Sequence, residues 1–226
     1  MPSTQIAFDL ANRLPLSTRS ITNHGTSVLP HLHLKQIALS YAPDSAPLFE
    51  SIRMLPYPVF LDSSHFGGLY GRFDILCADP SHVLFEKNHQ THLTLRDGSS
   101  EQLNTLPFAA LRQLLIEQGF NGIATPDLPF CGGAMGYLSY DLGRAYSPIP
   151  DPITDDIQLP HMQMGIYPWA IIVDHQQQTT TLVSQSLSLQ QLQYIKDSFC
   201  ASLPEAGKFQ LNSAFQSNLD REAYLS

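Results

Sequence analysis

Apolar residues recur along this chain in two rhythms. Leu34 to Tyr41, Pro58 to Leu61 and Tyr70 to Ala78 are short runs bounded by turn residues, which predicts strands. Leu48, Phe49, Ile52 and Leu55 fall at three- and four-residue spacing, and so do Phe108, Leu111, Leu114 and Leu115, which predicts two helices with one apolar face each. The first opens at Ser45-Ala46-Pro47, with Ser45 or Asp44 as cap and Pro47 near the first turn, and Pro56 ends it. The second opens at Thr105-Leu106-Pro107, and Gly119 suits its C-cap. His82 to Glu86 and Thr91 to Arg96 predict a hairpin looped by Lys87-Asn88-His89-Gln90 and ended by Asp97-Gly98, with His89 and His92 exposed. Met162 to Asp174 reads as one long strand carrying Trp169. His175 to Gln178 turns it into a partner, Thr179 to Ser186. Ser188 then caps a helix with Leu189, Leu192, Ile195 and Phe199 inside.

The stretch from Phe130 to Arg144 organises the rest. Gly132, Gly133, Ala134 and Gly136 open it, aromatic and aliphatic residues follow, and Asp141 and Arg144 close it. Glycines inside a strand mark a bulge or a close approach of another backbone. The pattern predicts a strand buried between layers, then a short helix that Pro148 stops. A phosphate cradle is the competing reading. No Gly-Lys-Ser/Thr follows, and the spacing is not that of a dinucleotide loop, so packing is favoured.

With 226 residues, 43% of them hydrophobic, the chain can bury a sizeable core. A net charge of -8 with only 12 Lys+Arg, scattered, points away from nucleic acid and from an anionic membrane surface. The sequence shows no secretory leader and no apolar run long enough to span a bilayer, so a cytoplasmic location is expected. Cys77, Cys131 and Cys200 lie far apart, without zinc-type spacing, and His31-x-His33 alone does not make a metal site. Asp62-Ser63-Ser64-His65 contains the residue types of a hydrolytic triad, but neighbours on one strand end cannot converge on one atom; a solvated turn toward Gly67-Gly68 is the simpler reading.

Residues 1–30 are polar and aperiodic, which predicts a poorly ordered extension ahead of a domain over 31–204. Pro148 to Leu159 reads as an acidic loop. Residues 205–226 read as a linker and the first turns of a further domain: Ser217 to Leu225 has the cap and first-turn acids of a helix just beginning, so the expectation is a polypeptide that continues.

Several stretches, taken in order, resemble a known family. They are Leu55-Pro56-Tyr57-Pro58-Val59-Phe60-Leu61-Asp62-Ser63, Gly71-Arg72-Phe73-Asp74-Ile75, Gly132-Gly133-Ala134-Met135-Gly136, Tyr140-Asp141-Leu142-Gly143-Arg144, Leu159-Pro160 with Gly165-Ile166-Tyr167, Trp169 to His175, and Gln216-Ser217-Asn218. The set is similar to the N-terminal region of the chorismate-utilising synthases, in wording closest to component I of aminodeoxychorismate synthase, with component I of anthranilate synthase as the near relative. The resemblance implies an α+β fold, part of a face-to-face antiparallel β-sandwich with flanking helices. It implies replacement of the chorismate 4-hydroxyl by ammonia with Mg²⁺, toward 4-aminobenzoate and folate, the ammonia coming from a glutamine amidotransferase partner. The family's catalytic lysine, glutamates and Mg²⁺ ligands lie in its second half, so no catalytic or metal-binding residue is expected here, and the chain alone is expected to be inactive. The family's first half holds a tryptophan pocket. By motif Ser63, Tyr70, Gly71, Arg72 and Phe73 match it, with Gly71 standing where a relative has serine. The competing readings are anthranilate synthase component I, a stand-alone tryptophan-binding module, and, for Arg72 and Asp74, a mere surface ion pair.

Overall fold

The structure is a computed structural model and describes residues 34–64, 71–120, 127–147, 158–200, 210–217 and 220–225. The polar extension, His31, His33, His65, Tyr70 and most of the acidic loop lie outside them. Ten strands form two antiparallel sheets. The first takes β1 (Lys35–Leu39), β2 (Val59–Leu61), β3 (Phe73–Cys77), β9 (Ala170–Asp174) and β10 (Thr179–Ser184), in the spatial order β1-β10-β9-β3-β2. The second takes β4 (His82–Lys87), β5 (Gln90–Leu95), β6 (Ser100–Leu103), β7 (Gly133–Leu138) and β8 (Met162–Tyr167), in the order β6-β5-β4-β8-β7. Four α-helices, α1 (Ala46–Ile52), α2 (Pro107–Glu117), α3 (Leu189–Cys200) and α4 (Arg221–Leu225), and a 3-10 helix over Tyr140–Ala145 complete the described elements.

Side-chain alternation divides the core into three layers. Leu76, Ile171, Val173 and Leu182 point outward from the first sheet and pack on Ile52 of α1 and on Leu192, Ile195 and Phe199 of α3. Cys77, Ala170, Ile172 and Val183, one residue out of phase, point inward and meet Met135 of β7 and Tyr167 of β8. Leu84, Leu93 and Ile166 leave the second sheet on its far side, under Ala110 and Leu114 of α2. The expected face-to-face sandwich with flanking helices is therefore present. Every residue of β9 is buried, as a strand covered on both faces requires.

The predicted strand Met162 to Asp174 is two strands in two sheets. Pro168 has no N–H to give a ladder, and there the chain leaves the second sheet and enters the first. Ser184 Oγ donates to the Pro168 carbonyl at 2.6 Å and accepts from the Leu187 N–H at 2.9 Å, which anchors the crossing. Trp169, fully buried, follows it and stacks on Phe199 at 6.3 Å.

Other expectations need smaller corrections. The glycine-rich strand β7 is an edge strand, buried at Gly133 and Met135 and exposed from Gly136 to Leu138. Its glycines do serve close packing: a Cβ on Gly136 would lie 2.0 Å from the Gln163 carbonyl oxygen. β2 is likewise an edge strand, with Leu61 half exposed. Phe108 is not on the buried stripe of α2, which is Pro107, Ala110 and Leu114; its ring stacks on Tyr146 at 5.4 Å at the surface. Leu189 is exposed rather than inside, although Ser188 caps α3 as predicted, its Oγ accepting from Gln191 N–H while Gln191 Oε1 accepts from Ser188 N–H. At α1 the cap is divided: Asp44 Oδ1 accepts from the Ala46 N–H, whereas the Ser45 hydroxyl turns to Asp74.

Candidate functional site

Ser63, Gly71, Arg72 and Phe73 come together at one end of the first sheet. The β2–β3 register, Leu61 opposite Ile75, carries the chain on so that Ser63 lies across from Phe73. Ser63 Oγ donates to the Phe73 carbonyl at 2.5 Å, and its N–H donates to Asp74 Oδ1 at 2.9 Å. The hydroxyl proton is thus committed to the backbone, and what the oxygen retains is acceptor capacity.

Arg72 and Asp74 do not pair with each other, which corrects that expectation. They project toward different partners at the end of β9. Arg72 grips Asp174 through Nε, at 3.1 and 3.2 Å, and through Nη2 at 2.7 Å, lies 4.4 Å over the Phe73 ring, and reaches Asp127 at 3.6 Å. Asp174 also accepts the N–H groups of Gln176 and Gln177. Burial pushes its carboxyl upward, but the Arg72 and backbone bonds outweigh this and hold it below the usual carboxylate range.

Asp74 is the centre of a buried polar cluster on the outer side of the sheet. Its Oδ2 accepts from Ser45 Oγ at 2.6 Å and from His175 Nε2 at 2.7 Å, while Oδ1 accepts from Ser63 N–H. Burial raises its pKa; the Ser45, Ser63 and His175 bonds outweigh that and lower it overall. An ionised carboxylate only accepts, so His175 Nε2 donates to Asp74, and Nδ1 lies 3.3 Å from Tyr41 OH. Serine, histidine and aspartate meet here in the wrong order for nucleophilic catalysis. The Ser45 hydroxyl bonds to the carboxylate and not to the imidazole, so the histidine is not placed to take its proton. Burial also pushes the Cys77 thiol well up, leaving it protonated beside Met135.

On the inner face of the same sheet, next to Arg72, opens a cleft of about 240 Å³. Ile172 and Leu128 line it with Gln36, Asp127, Asp174 and Thr181. A smaller apolar groove of about 130 Å³ lies between Tyr57, Val59, Met135 and Tyr167. Among the described residues no group of three or more His, Cys, Asp or Glu side chains could hold a metal ion, and no helix is long and apolar enough to cross a membrane. Two sequence stretches, Leu55 to Ser63 and Gly71 to Ile75, single out Ser63, Arg72 and Phe73, but neither points to Asp127, Asp174 or Asp74's partners. Their approach depends on β3 pairing with β9 about a hundred residues later, for which no local spacing gives a signal.

No protein-family model matches the sequence. Among curated proteins, the chain is 36% identical over 189 residues to "Aminodeoxychorismate synthase component 1" of Salmonella typhimurium, and 34% identical over 192 residues to the protein of the same name from Escherichia coli. Each match covers 83% of this chain and 41% of the relative, so the chain spans well under half the length of these relatives. "Anthranilate synthase component 1" of Acetivibrio thermocellus is 29% identical over 124 residues, covering 54% of this chain and 25% of that one. The solved anthranilate synthase component I of Streptococcus pneumoniae aligns with a TM-score of 0.48 at 22% identity, over 61% of this chain and 30% of that one.

Proposed function

We propose, from its homology to component I of the aminodeoxychorismate and anthranilate synthases, that this chain is the N-terminal portion of an aminodeoxychorismate synthase component I. The observation that carries the reading is the 34–36% identity to three such proteins over 83% of the chain, against 27–30% for the anthranilate synthase relatives over 43–78% of it. The reaction proposed for the whole enzyme converts chorismate and ammonia to 4-amino-4-deoxychorismate with Mg²⁺. A glutamine amidotransferase partner supplies the ammonia. This portion contributes strands and helices to the scaffold, and the reacting groups belong to the second half of the enzyme.

The same portion supplies part of an amino-acid pocket for tryptophan, formed by Ser63, Tyr70, Gly71, Arg72 and Phe73. Ser63 offers an acceptor oxygen, Arg72 a guanidinium fixed by Asp174, and Phe73 an aromatic face.

A chimera tests the function. This chain replaces its matching segment in the Salmonella typhimurium relative, and the product is identified after incubation with chorismate, ammonium and Mg²⁺. Aminodeoxychorismate is the expected product, and the 226-residue chain by itself is expected to give none. An inactive chimera, together with anthranilate formation when the same exchange is made in the Acetivibrio thermocellus anthranilate synthase component 1, would transfer the assignment to anthranilate synthase, and turnover by the chain alone would refute the scaffold role.

A further inference from the structure

We propose that Asp127 reads the ammonium group of an α-amino acid whose carboxylate lies on Arg72, so that the mouth of the inner cleft is a zwitterion-recognition pair. The inference rests on the amino-acid pocket proposed above and adds the residue that reads the opposite charge.

The two acids beside Arg72 are unequal. Asp174, with 6% of its side chain exposed, accepts from Nε and Nη2 of Arg72 and from two backbone N–H groups. Its oxygens are occupied, and its effect is to hold the guanidinium plane in place. Asp127 is 72% exposed, and its approach to Arg72, 3.6 Å, is longer than a good hydrogen bond. Its acceptor capacity is therefore largely unused. Arg72 in turn keeps donors in reserve: its side chain is 31% exposed, and Nη1 has no hydrogen-bond partner among the described residues.

An α-amino acid carries its two charges on one carbon. That is the separation bridged by one loose ion pair, so carboxylate and ammonium can engage Arg72 and Asp127 together. Charge balance selects the same class. Two aspartates against one arginine leave the cleft negative, which disfavours a simple anion and admits a zwitterion or a cation. Gln36, Thr179 and Thr181 stand nearby as neutral partners for the remaining N–H groups. Leu128 and Ile172 give the cleft an apolar lining for the ligand's body. At about 240 Å³ the cleft falls below the roughly 300–1,000 Å³ typical of drug-sized ligands, which suits a single small molecule.

Titration of the chain and of Asp127→Asn with L-tryptophan, indole-3-propionate (no amine) and tryptamine (no carboxylate) tests this. The unaltered chain is expected to bind L-tryptophan in preference to indole-3-propionate. Asp127→Asn, at an exposed position with an unchanged thermal midpoint, is expected to bind L-tryptophan and tryptamine about tenfold more weakly, the loss of one exposed charged hydrogen bond, with indole-3-propionate unaffected. Equal weakening of all three ligands, or an unchanged preference, would overturn the role of Asp127 while leaving the pocket standing. No binding of any of the three by the unaltered chain would overturn the pocket and this inference together.

Discussion

Asp74 receives hydrogen bonds from Ser45 ahead of α1, from Ser63 at the end of β2 and from His175 after β9, so one carboxylate ties three separate segments. Removing it leaves those donors buried without an acceptor. Asp74→Ala is expected to lower stability by about 3 kcal/mol, measured by urea unfolding at neutral pH. The sign of the pH dependence follows from its lowered pKa. Stability from Asp74 is fully present above the unfolded-state value of about 3.9 and is lost as pH falls through the lower folded-state value. The unaltered protein should therefore lose stability below about pH 4 more steeply than Asp74→Asn does. Equal slopes for the two proteins would remove the carboxylate from this role. His89 gives a second residue-level test. Asn88 and His89 both take the left-handed conformation, φ 53° and 60°, in the two-residue turn between β4 and β5. Replacing His89 by glycine relieves strain of roughly 1 kcal/mol and should raise the unfolding midpoint.

Glycines show how strongly an element depends on a single position. Gly136 sits in β7 where the β8 backbone closes in, the Gln163 carbonyl oxygen and carbon lying 2.0 and 2.9 Å from where a Cβ would be. Backbone cannot swing aside as a side-chain tip can, so Gly136→Ala should cost about 1–3 kcal/mol and loosen β7. Gly143, in the 3-10 helix that follows, has nothing within 4 Å of its Cβ position, and Gly143→Ala should be neutral or stabilising by a few tenths of a kcal/mol, about the low end for a compatible site. Hydrogen exchange at β7 amides in the two variants separates them. Elements such as these were legible in sequence where the apolar period was strong: the strands Lys35–Leu39 and Phe73–Cys77, the β4–β5 hairpin, α1 with its cap and stop, and α3 with its cap. They were not legible where one rhythm ran across two structures. The apolar run from Met162 to Asp174 continues through Pro168 because both sheets bury it, and the proline was the only mark of the change of sheet. β6, with three exposed residues, Ser100, Glu101 and Gln102, has no alternation to betray it. In the candidate site, Ser63 stood in one motif and Arg72 and Phe73 in the next, whereas Asp127 and Asp174 join them only through folding.

The two sheets could behave as separate bodies, since each carries its own outer core, α1 and α3 on one and α2 on the other. Two features argue that they unfold together. The inner core draws Cys77 and Ile172 from one sheet and Met135 and Tyr167 from the other into one buried group. The chain also passes directly from β8 to β9 through Pro168 and Trp169, with Ser184 anchoring the crossing carbonyl, so neither sheet loses its order without pulling on a central strand of the other. Trp169 is the only tryptophan and is buried among α1 and α3, which makes its fluorescence a reporter of the first sheet's outer core. Leu114 lies in the other outer core, on the buried face of α2. Leu114→Ala should cost about 2–5 kcal/mol through the cavity it leaves. If the sheets are one cooperative unit, the denaturant midpoint read by Trp169 fluorescence falls by the same amount as the midpoint read by far-ultraviolet circular dichroism. A fluorescence midpoint that stays in place while the dichroism transition splits would instead divide the molecule at Pro168.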